Sequence, residues 1–369
     1  MDASTAFLME QVAQAGRPED LFGQLDGSVD EKYQAGKRLF RSLSRALHPD
    51  VHGSDAQVSR AYGRVSELWA EAQVAIKEGR YGQPRAPQVA PISTTRHVYQ
   101  DYALMTIGDL ADVYRGTRDA GAEPVILKIG RDPADNDLLQ AEHETLSYLH
   151  RADQPEDKVF RPFLPEPLEH FSISDGRSPV RAATAFAAIE GLVSLETVRE
   201  AYPMGIEPED MAWMFRRLLY VLGYVHHRGV IHGAVLPAHV LIQPEKHGVV
   251  LVDWCYALRN PVQDNLHIPA ISLSYEDWYP AEVLAKEPPR PGTDLAMAAT
   301  TMVAILGGDA GRGTLPDSVP APLRAFFRGC MLPSLSQRPR DAWELLEEFD
   351  QLIERLWGKR RFRVFEMPK

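Results

Sequence analysis

The chain has 369 residues, of which 44% are hydrophobic and 25% charged, and its formal net charge is −11. This composition is typical of a folded globular protein, and the length suits two domains better than one. A negative charge of this size argues against nonspecific nucleic-acid binding, so any basic surface must be local. The two cysteines, Cys255 and Cys330, cannot form a disulfide framework, which favours a cytoplasmic location.

Residue composition divides the chain into four predicted segments. Residues 1–82 have a helical pattern, and residues 83–96 carry three prolines without apolar periodicity, which is typical of a linker. Residues 97–358 begin with strand-like runs and continue with helical ones, an order that predicts an α+β domain. The basic and aromatic tail, residues 359–369, is interpreted as a strip that docks on a partner or on the preceding domain, with a solvated tail as the alternative.

Several elements of the third segment are predicted from periodicity. The strands are Val113–Tyr114 and Val125–Ile129, and the helices cover residues 137–150 and 209–228. The pair His226–His227 is expected on the surface at the end of the second helix. The longest apolar run, Leu295 to Gly308, is too short to cross a bilayer and predicts a buried core helix, so no membrane insertion is expected.

The first segment contains a basic amphipathic helix followed by the tripeptide His48, Pro49, Asp50. The apolar side of residues 31–47 carries Tyr33, Gly36, Phe40, Leu43 and Leu47. Another side carries a basic stripe, which consists of Lys37, Arg41 and Arg45. Pro49 disfavours helical backbone at His48, so the helix ends there. A second amphipathic helix is predicted at residues 56–78.

Two antiparallel helices joined by a His-Pro-Asp loop resemble a J-domain, over roughly residues 18–80. This resemblance implies an all-α module built on a helical hairpin. It also implies that His48, Pro49 and Asp50 stimulate ATP hydrolysis by a DnaK-type heat-shock chaperone, and that the basic stripe steers onto the acidic surface of that chaperone. The alternative is a two-helix hairpin with a solvated basic face and an ordinary loop.

A second series of motifs follows along residues 100–353. It comprises Lys128 in a strand-like run, Glu142 in a helix pattern, Ala187 to Gly191 after a further strand, His232-Gly233, Asp253-Trp254-Cys255, Pro280-Ala281-Glu282, Asp294 and Arg338. In this order and at these intervals, the motifs resemble the protein-kinase superfamily and imply a bilobal kinase-like domain. The resemblance also implies that Lys128 pairs with Glu142 and that Arg338 pairs with Glu282.

The resemblance implies a nucleotide site as well. The residues that it assigns to the nucleotide are Gly108, Lys128, Glu142, Ala188 and Asp253. Asp253 would also hold a magnesium ion through its carboxylate oxygens, so the implied cofactor is ATP with magnesium. For the Lys128–Glu142 pair, the alternative is an ordinary internal salt bridge. For Asp253, the alternative is a loop carboxylate without a ligand.

Other positions argue against phosphoryl transfer. Ala234 stands where a kinase has its catalytic aspartate, and a methyl group cannot accept a proton, so no catalytic residue is expected. His239 stands in place of the second metal ligand; it is interpreted as filling a loop position, with a repurposed ligand or base as the alternative. Thr106 and Ala111 replace glycines of the phosphate loop, and Ile126 narrows the slot for adenine. The pattern predicts a pseudokinase.

Three functions are therefore open. The first is an adaptor whose J-domain-like module engages a DnaK-type chaperone and whose pseudokinase domain binds a protein client or a ligand. The second is an atypical ATP-dependent kinase or nucleotidyl transferase that uses Lys128, Glu142 and Asp253. The third is a scaffold that contacts neither nucleotide nor chaperone.

Overall fold

The structure is a computed structural model that describes residues 8–9, 11–12, 15, 18–25, 27–47, 56–77, 79, 81–82, 90–119, 123–151, 154–174 and 179–368. The chain divides into two compact units, Met1–Gln88 and Val89–Lys369. Helices and strands are both present, which confirms the predicted α+β class. The tripeptide His48, Pro49 and Asp50 lies outside the described residues, as do residues 83–89 of the predicted linker.

The first unit contains, among its described residues, the helices α1 (Pro18–Phe22), α2 (Val29–Ala46) and α3 (Ala56–Lys77). A capping box at Ser28 begins α2: the Ser28 hydroxyl accepts the Glu31 N–H at 3.4 Å, and the Glu31 carboxylate accepts the Ser28 N–H at 2.8 Å. These bonds satisfy two backbone donors at the start of the helix. The two amphipathic helices predicted from periodicity are confirmed.

Helices α2 and α3 pack antiparallel. Near the start of α2, the Tyr33 hydroxyl accepts a hydrogen bond at 3.3 Å from Gln73 Nε2, near the end of α3. After the end of α2, buried Leu47 clusters with Val58 near the start of α3. The apolar side predicted for the first helix is therefore the side that meets the second.

Trp69 on α3 is the centre of this contact. The rings of Phe22, Tyr33 and Phe40 have centroids between 5.5 and 5.7 Å from that of Trp69. Gly36 allows α2 to approach the indole, because a Cβ atom at this position would lie 2.7 Å from the ring. Packing around one large aromatic side chain thus holds the hairpin together.

The second unit begins with an antiparallel sheet of six strands. They are β1 (Ile92–Ser93), β2 (Val98–Ile107), β3 (Ala111–Arg118), β4 (Glu123–Gly130), β5 (Pro167–Ile173) and β6 (Arg181–Ala187), and their order across the sheet is β1-β2-β3-β4-β6-β5. The strands predicted within β3 and β4 are confirmed. Strand β1 falls inside the predicted linker, yet Ile92 pairs with Tyr99 of β2.

Helix α4 (Asn136–His150) packs against β5 and β6 and confirms the helix predicted over residues 137–150. Short strands follow: β7 (Val193–Ser194), β8 (Val230–Ile231), β9 (Val240–Gln243), β10 (Gly248–Leu251) and β11 (Leu258–Arg259). β7, β9 and β10 form a three-stranded sheet, and β8 pairs with β11.

The rest of the second unit is mainly helical. Its helices are α5 (Leu195–Ala201), α6 (Pro208–His227), α7 (Ala281–Leu284), α8 (Pro291–Ile305), α9 (Ala321–Cys330) and α10 (Ala342–Trp357). Helix α6 packs against α8 and α10, and every residue of α8 from Gly292 to Ile305 is buried. The predicted buried core helix is therefore confirmed. Within the described part of the chain, no helix combines the length and the apolar character that a bilayer crossing requires.

A buried ion pair fixes the start of α7. The Arg338 guanidinium donates to the two carboxylate oxygens of Glu282 at 2.6 and 3.2 Å, and the Thr293 hydroxyl donates to the same carboxylate at 3.0 Å. Both charged side chains are almost fully buried. The pairing of Arg338 with Glu282 that the sequence resemblance implied is present.

Candidate functional site

Strand alternation and helix packing bring Lys128 and Glu142 together. Along β4, the side chains of Val125 and Leu127 enter the cluster on one face of the sheet, so Lys128 faces the other way. Helix α4 packs on that side and carries Glu142, which is 1% exposed. The Lys128 ammonium nitrogen lies 3.0 Å from the Glu142 carboxylate.

Asp253 lies in the turn after β10 and contacts the Lys128–Glu142 pair through the Lys128 ammonium. Its backbone is left-handed, with φ 66° and ψ 63°. The turn is fixed by the next residue, because the Trp254 N–H donates to Glu142 Oε1 at 2.8 Å and the Trp254 indole N–H donates to the Leu251 carbonyl oxygen at 2.8 Å. This geometry places Asp253 Oδ1 in direct contact with the Lys128 ammonium.

Lys128 has no free donor in this arrangement. An ammonium group carries three N–H bonds, and three acceptors surround it: Glu142, Asp253 and the sulfur of Cys255, the last at 3.2 Å. One carboxylate oxygen each from Glu142 and Asp253 and the sulfur of Cys255 also lie within 4.8 Å of one another; each of these atoms could bind a metal ion. The lysine nitrogen contacts all three residues.

His239 contacts the second carboxylate oxygen of Asp253. Its Nε2 lies 2.9 Å from Asp253 Oδ2, and its Nδ1 lies 2.8 Å from the Ala234 carbonyl oxygen. Both neighbours can only accept, so both ring nitrogens must carry a proton and the ring is an imidazolium. Burial lowers the pKa of His239, but Asp253 outweighs this effect and raises the pKa above its ordinary value. The interpretation of His239 as a residue that merely fills the loop is wrong.

Charge is balanced within this cluster, which we call the Lys128 cluster: Lys128, Glu142, His239, Asp253 and Cys255. Burial raises the pKa of the Asp253 carboxyl, but Lys128 and His239 together hold it well below the usual range. Burial lowers the pKa of the Lys128 ammonium, and Asp253 and the other acceptors outweigh this effect and hold it well above its usual range. Burial raises the pKa of the Cys255 thiol, so the thiol is neutral. Two cations thus face two carboxylates.

The loop between β8 and β9 is held by a different carboxylate. Asp294, at the start of α8, is fully buried and accepts the backbone N–H groups of His232 and Gly233, each at 2.8 Å. His226 Nε2 lies 2.9 Å from the same carboxylate, and its side chain is only 6% exposed. The expectation that the pair His226–His227 lies on the surface is wrong for His226, because α6 packs its C-terminal turn against α8, and it is confirmed for His227, which is exposed. We call His226, His232, Gly233 and Asp294 the loop brace.

Ala234 lies next to this brace and is fully buried. Its N–H donates to His232 Nδ1 at 3.2 Å, while His232 Nε2 bonds to the Val252 carbonyl oxygen at 3.0 Å. Burial lowers the pKa of His232 to about 4, so the ring is neutral near pH 7. The side chain at position 234 is thus a buried methyl group, which cannot accept a proton.

The remaining residues predicted for the nucleotide, Gly108 and Ala188, make backbone hydrogen bonds within and beside the sheet. Gly108 closes the hairpin between β2 and β3, where its N–H donates to the Ala111 carbonyl oxygen at 3.0 Å. Ala188 follows β6, and its N–H donates to the Pro124 carbonyl oxygen at 3.3 Å. No hydrogen bond among the described residues joins either one to the cluster. The structure thus brings Lys128, Glu142 and Asp253 together, and it places His239, which was not assigned to the nucleotide, beside them.

Comparison with known proteins places this geometry in context. No protein-family model matches the chain. Over about half of its length, the chain is similar to serine/threonine-protein kinases. It is 24% identical over 223 residues to a protein named serine/threonine-protein kinase PknD from Chlamydia felis (strain Fe/C-56), and equally to the protein of that name from Chlamydia caviae (strain ATCC VR-813 / DSM 19441 / 03DC25 / GPIC). The match covers 53% of this chain and 23% of each relative, so the chain spans less than a quarter of their length.

The residues in place do not fit the magnesium ion that the kinase resemblance implies. Magnesium prefers oxygen ligands in an octahedral arrangement. Both oxygens of Asp253 are already bonded to cationic side chains, and the imidazolium of His239 has no free lone pair to offer. A magnesium ion at Asp253 would lie close to two cationic side chains, Lys128 and His239, and their positive charges oppose its binding. Magnesium at Asp253 stays a prediction, and the geometry does not favour it.

Proposed function

We propose that the chain is a co-chaperone-type adaptor. Its J-domain-like unit would engage a DnaK-type heat-shock chaperone, and its kinase-like unit would act as a pseudokinase that binds a protein client without transferring phosphate. The observation that carries the second half is the pairing of Asp253 with both Lys128 and His239. The proposed location is the cytoplasm, which suits the two buried free cysteines.

Phosphoryl transfer requires three groups at its site: a cation that binds the phosphates, a carboxylate that binds metal ions, and a base that accepts the hydroxyl proton. The three N–H bonds of Lys128 have acceptors, both oxygens of Asp253 face cationic side chains, and position 234 is a buried methyl group. We infer from these contacts that the kinase-like unit does not transfer phosphate. In place of that chemistry, we propose that the unit presents a surface for a protein client.

Labelled ATP tests the absence of transfer. The pure chain is incubated with γ-labelled or α-labelled ATP, magnesium or manganese, and candidate protein substrates. We expect no label on any protein from either nucleotide, because no base or free metal ligand is in place. Label from the γ-phosphate would establish a kinase, and label from the α-phosphate a nucleotidyl transferase. Either result would remove the pseudokinase half of the proposal.

The basic stripe and the tripeptide support the chaperone half. Arg41 and Arg45 on α2 are exposed, and Lys37 is half-buried with its ammonium 5.7 Å from the centroid of the Tyr33 ring. Exposed cations along one side of a helix suit recognition of an acidic partner surface. His48, Pro49 and Asp50 follow in the sequence.

The ATPase rate of the cognate DnaK-type chaperone tests this half. We expect the wild-type chain to raise the rate and His48→Gln to abolish the increase, because the tripeptide is the proposed stimulating element. His52→Gln is the matched control, since it changes a nearby histidine outside the tripeptide and should leave the increase intact. A wild-type chain that gives no increase would remove the chaperone half.

One observation favours the second candidate, an atypical kinase or nucleotidyl transferase. The Lys128–Glu142 ion pair is formed, at 3.0 Å, and Asp253 lies beside it. If ATP displaced His239 and drew Lys128 away from Asp253, Lys128, held by Glu142, could contact the phosphates, and Asp253 could bind the accompanying metal ion. The α-label and γ-label experiments above distinguish this candidate from the adaptor.

A further inference from the structure

A concave surface on the helical part of the second unit is strongly basic. Its walls are helices α6 and α10, the hairpin between β9 and β10, and the segment 358–363, and they enclose about 650 Å³. We call it the basic groove. The cationic side chains that line it are Arg216, Arg217, Lys246, Lys359, Arg360, Arg361 and Arg363, and the carboxylates are Glu209 and Asp350. This excess of positive charge occurs in a chain whose net charge is −11.

Some of these cations are neutralised within the unit. Arg216 lies 2.8 Å from Asp350, Arg360 lies 3.6 Å from the same carboxylate, and Arg363 lies 3.5 Å from Asp210. The others have no carboxylate within 4 Å among the described residues; they are Arg217, Lys246, Lys359 and Arg361. The groove therefore keeps a positive surplus that a partner could neutralise.

One wall of the groove is formed by residues 358–363, which belong to the longer segment 358–366 that we call the strap. Phe365 anchors it, since this ring is only 4% exposed and lies in the main core. The ring of His247 stacks between Trp213 and Phe362, with centroids at 4.1 and 4.4 Å, and also bonds to the Arg363 carbonyl oxygen. The tail predicted as a docking strip thus lies against its own domain and shapes a surface there.

The backbone of the strap is largely unpaired. From Lys359 to Glu366, no backbone N–H donates to another described residue, and only the carbonyl oxygens of Arg363 and Glu366 accept a hydrogen bond. A stretch of unpaired backbone next to a groove can bind a peptide laid alongside it. Guanidinium groups beside it match carboxylates with paired N–H donors.

We propose that the basic groove binds an acidic peptide segment of a partner protein, which lies along the strap and places its carboxylates against the unpaired cations. A small polyanion would use the charges but would leave the strap backbone unpaired, so the two observations together favour a peptide. The proposal names the chemistry of the client and rests on the adaptor function only for the idea that this unit binds proteins.

Fluorescence anisotropy with the full-length chain tests the proposal. The probe is a labelled peptide of about ten residues rich in Asp and Glu, and a Lys-rich peptide of equal length is the negative probe. We expect the acidic peptide to bind and its affinity to fall as salt rises from about 0.05 to about 0.3 M. The Lys-rich peptide should not bind.

Two charge reversals locate the site. Lys359→Glu with Arg361→Glu changes two exposed strap residues, and Lys246→Glu changes the opposite wall; we expect at least about tenfold weaker binding for the first variant and a smaller loss for the second. Arg328→Glu is the matched control, because Arg328 is an exposed arginine on α9 outside the groove, and its affinity should equal that of the wild type. Thermal melts confirm that each variant is folded.

Three results would overturn the proposal: no binding at low salt, equal losses for Arg328→Glu and the groove variants, or binding of inorganic tripolyphosphate as tight as that of the peptide. The last result would make the groove a small-anion site. None of them bears on label transfer from ATP, so failure here is distinct from failure of the pseudokinase proposal.

Discussion

Asp294 and Asp253 both flank the loop from His232 to His239, yet their partners differ in kind. Asp294 accepts two backbone N–H groups and one histidine, so it fixes the path of the main chain. Asp253 contacts two cationic side chains, so its charge is neutralised, and it acts on the main chain of the loop indirectly, through His239, which donates to the Ala234 carbonyl oxygen. The loop brace and the Lys128 cluster show that the frame of a loop and the chemistry beside it depend on separate carboxylates.

The largest expected effect is a loss of stability, and it should be greater when Asp294 is replaced than when Asp253 is replaced. Asp294→Asn should lower the free energy of unfolding by about 3–5 kcal/mol, because the buried backbone donors lose their charged acceptor. Asp253→Asn should cost less, about 1–3 kcal/mol, since Lys128 keeps Glu142 as a partner and His239 can lose its extra proton when the carboxylate is gone. Urea unfolding measures both, with exposed Asp264→Asn as the control. A larger loss for Asp253→Asn than for Asp294→Asn would contradict the comparison.

Removing the imidazolium should convert the Lys128 cluster into a site that responds to metal. His239→Asn frees Asp253 Oδ2 and adds an amide oxygen, so we expect magnesium with ATP to raise the melting temperature of this variant. A ligand at a hundred times its dissociation constant raises the free energy of unfolding by about 2.7 kcal/mol, and a thermal melt detects a change of this size. Equal responses of His239→Asn and the wild type would show that His239 does not control metal entry.

The loop brace should weaken in acid. In the unfolded chain His232 takes up a proton below its ordinary pKa of 6.5, but in the folded chain burial lowers the pKa to about 4. Stability therefore falls as pH drops below 6.5, by about 2 kcal/mol between pH 7.5 and pH 5.0. This fall is measured by urea unfolding at both pH values. His232→Gln should reduce the fall by about that amount; an unchanged pH dependence would rule out a neutral buried histidine.

The smallest effect concerns the thiol of the Lys128 cluster. Cys255→Ala should cost about 1 kcal/mol, because a neutral sulfur contributes packing and one weak hydrogen bond. Cys330→Ala is the matched control, since it removes the same atom from the buried face of α9. Unfolding midpoints should differ little between the two variants. A cost several kcal/mol higher for Cys255→Ala would mean that the thiol bears charge in the cluster.

Sequence patterns predicted those features that depend on local spacing. Periodicity located α2, β4 and α6, and motif order located the pairs Lys128–Glu142 and Arg338–Glu282. Periodicity describes only neighbours along the chain, so it missed contacts made by folding. His226 meets Asp294 across 68 residues, and His247 meets the strap across 116. The role of His239 depends likewise on the turn that brings Asp253 against it.

A thermal melt of the wild-type chain tests the central claim most directly. The melting temperature is measured alone, with ATP, and with ATP plus magnesium. Because Lys128 and His239 already neutralise Asp253, we expect magnesium to add no shift to that of ATP alone. A shift of several degrees that requires magnesium and disappears in Asp253→Asn would contradict this account, since it would show that Asp253 is free to bind a metal ion.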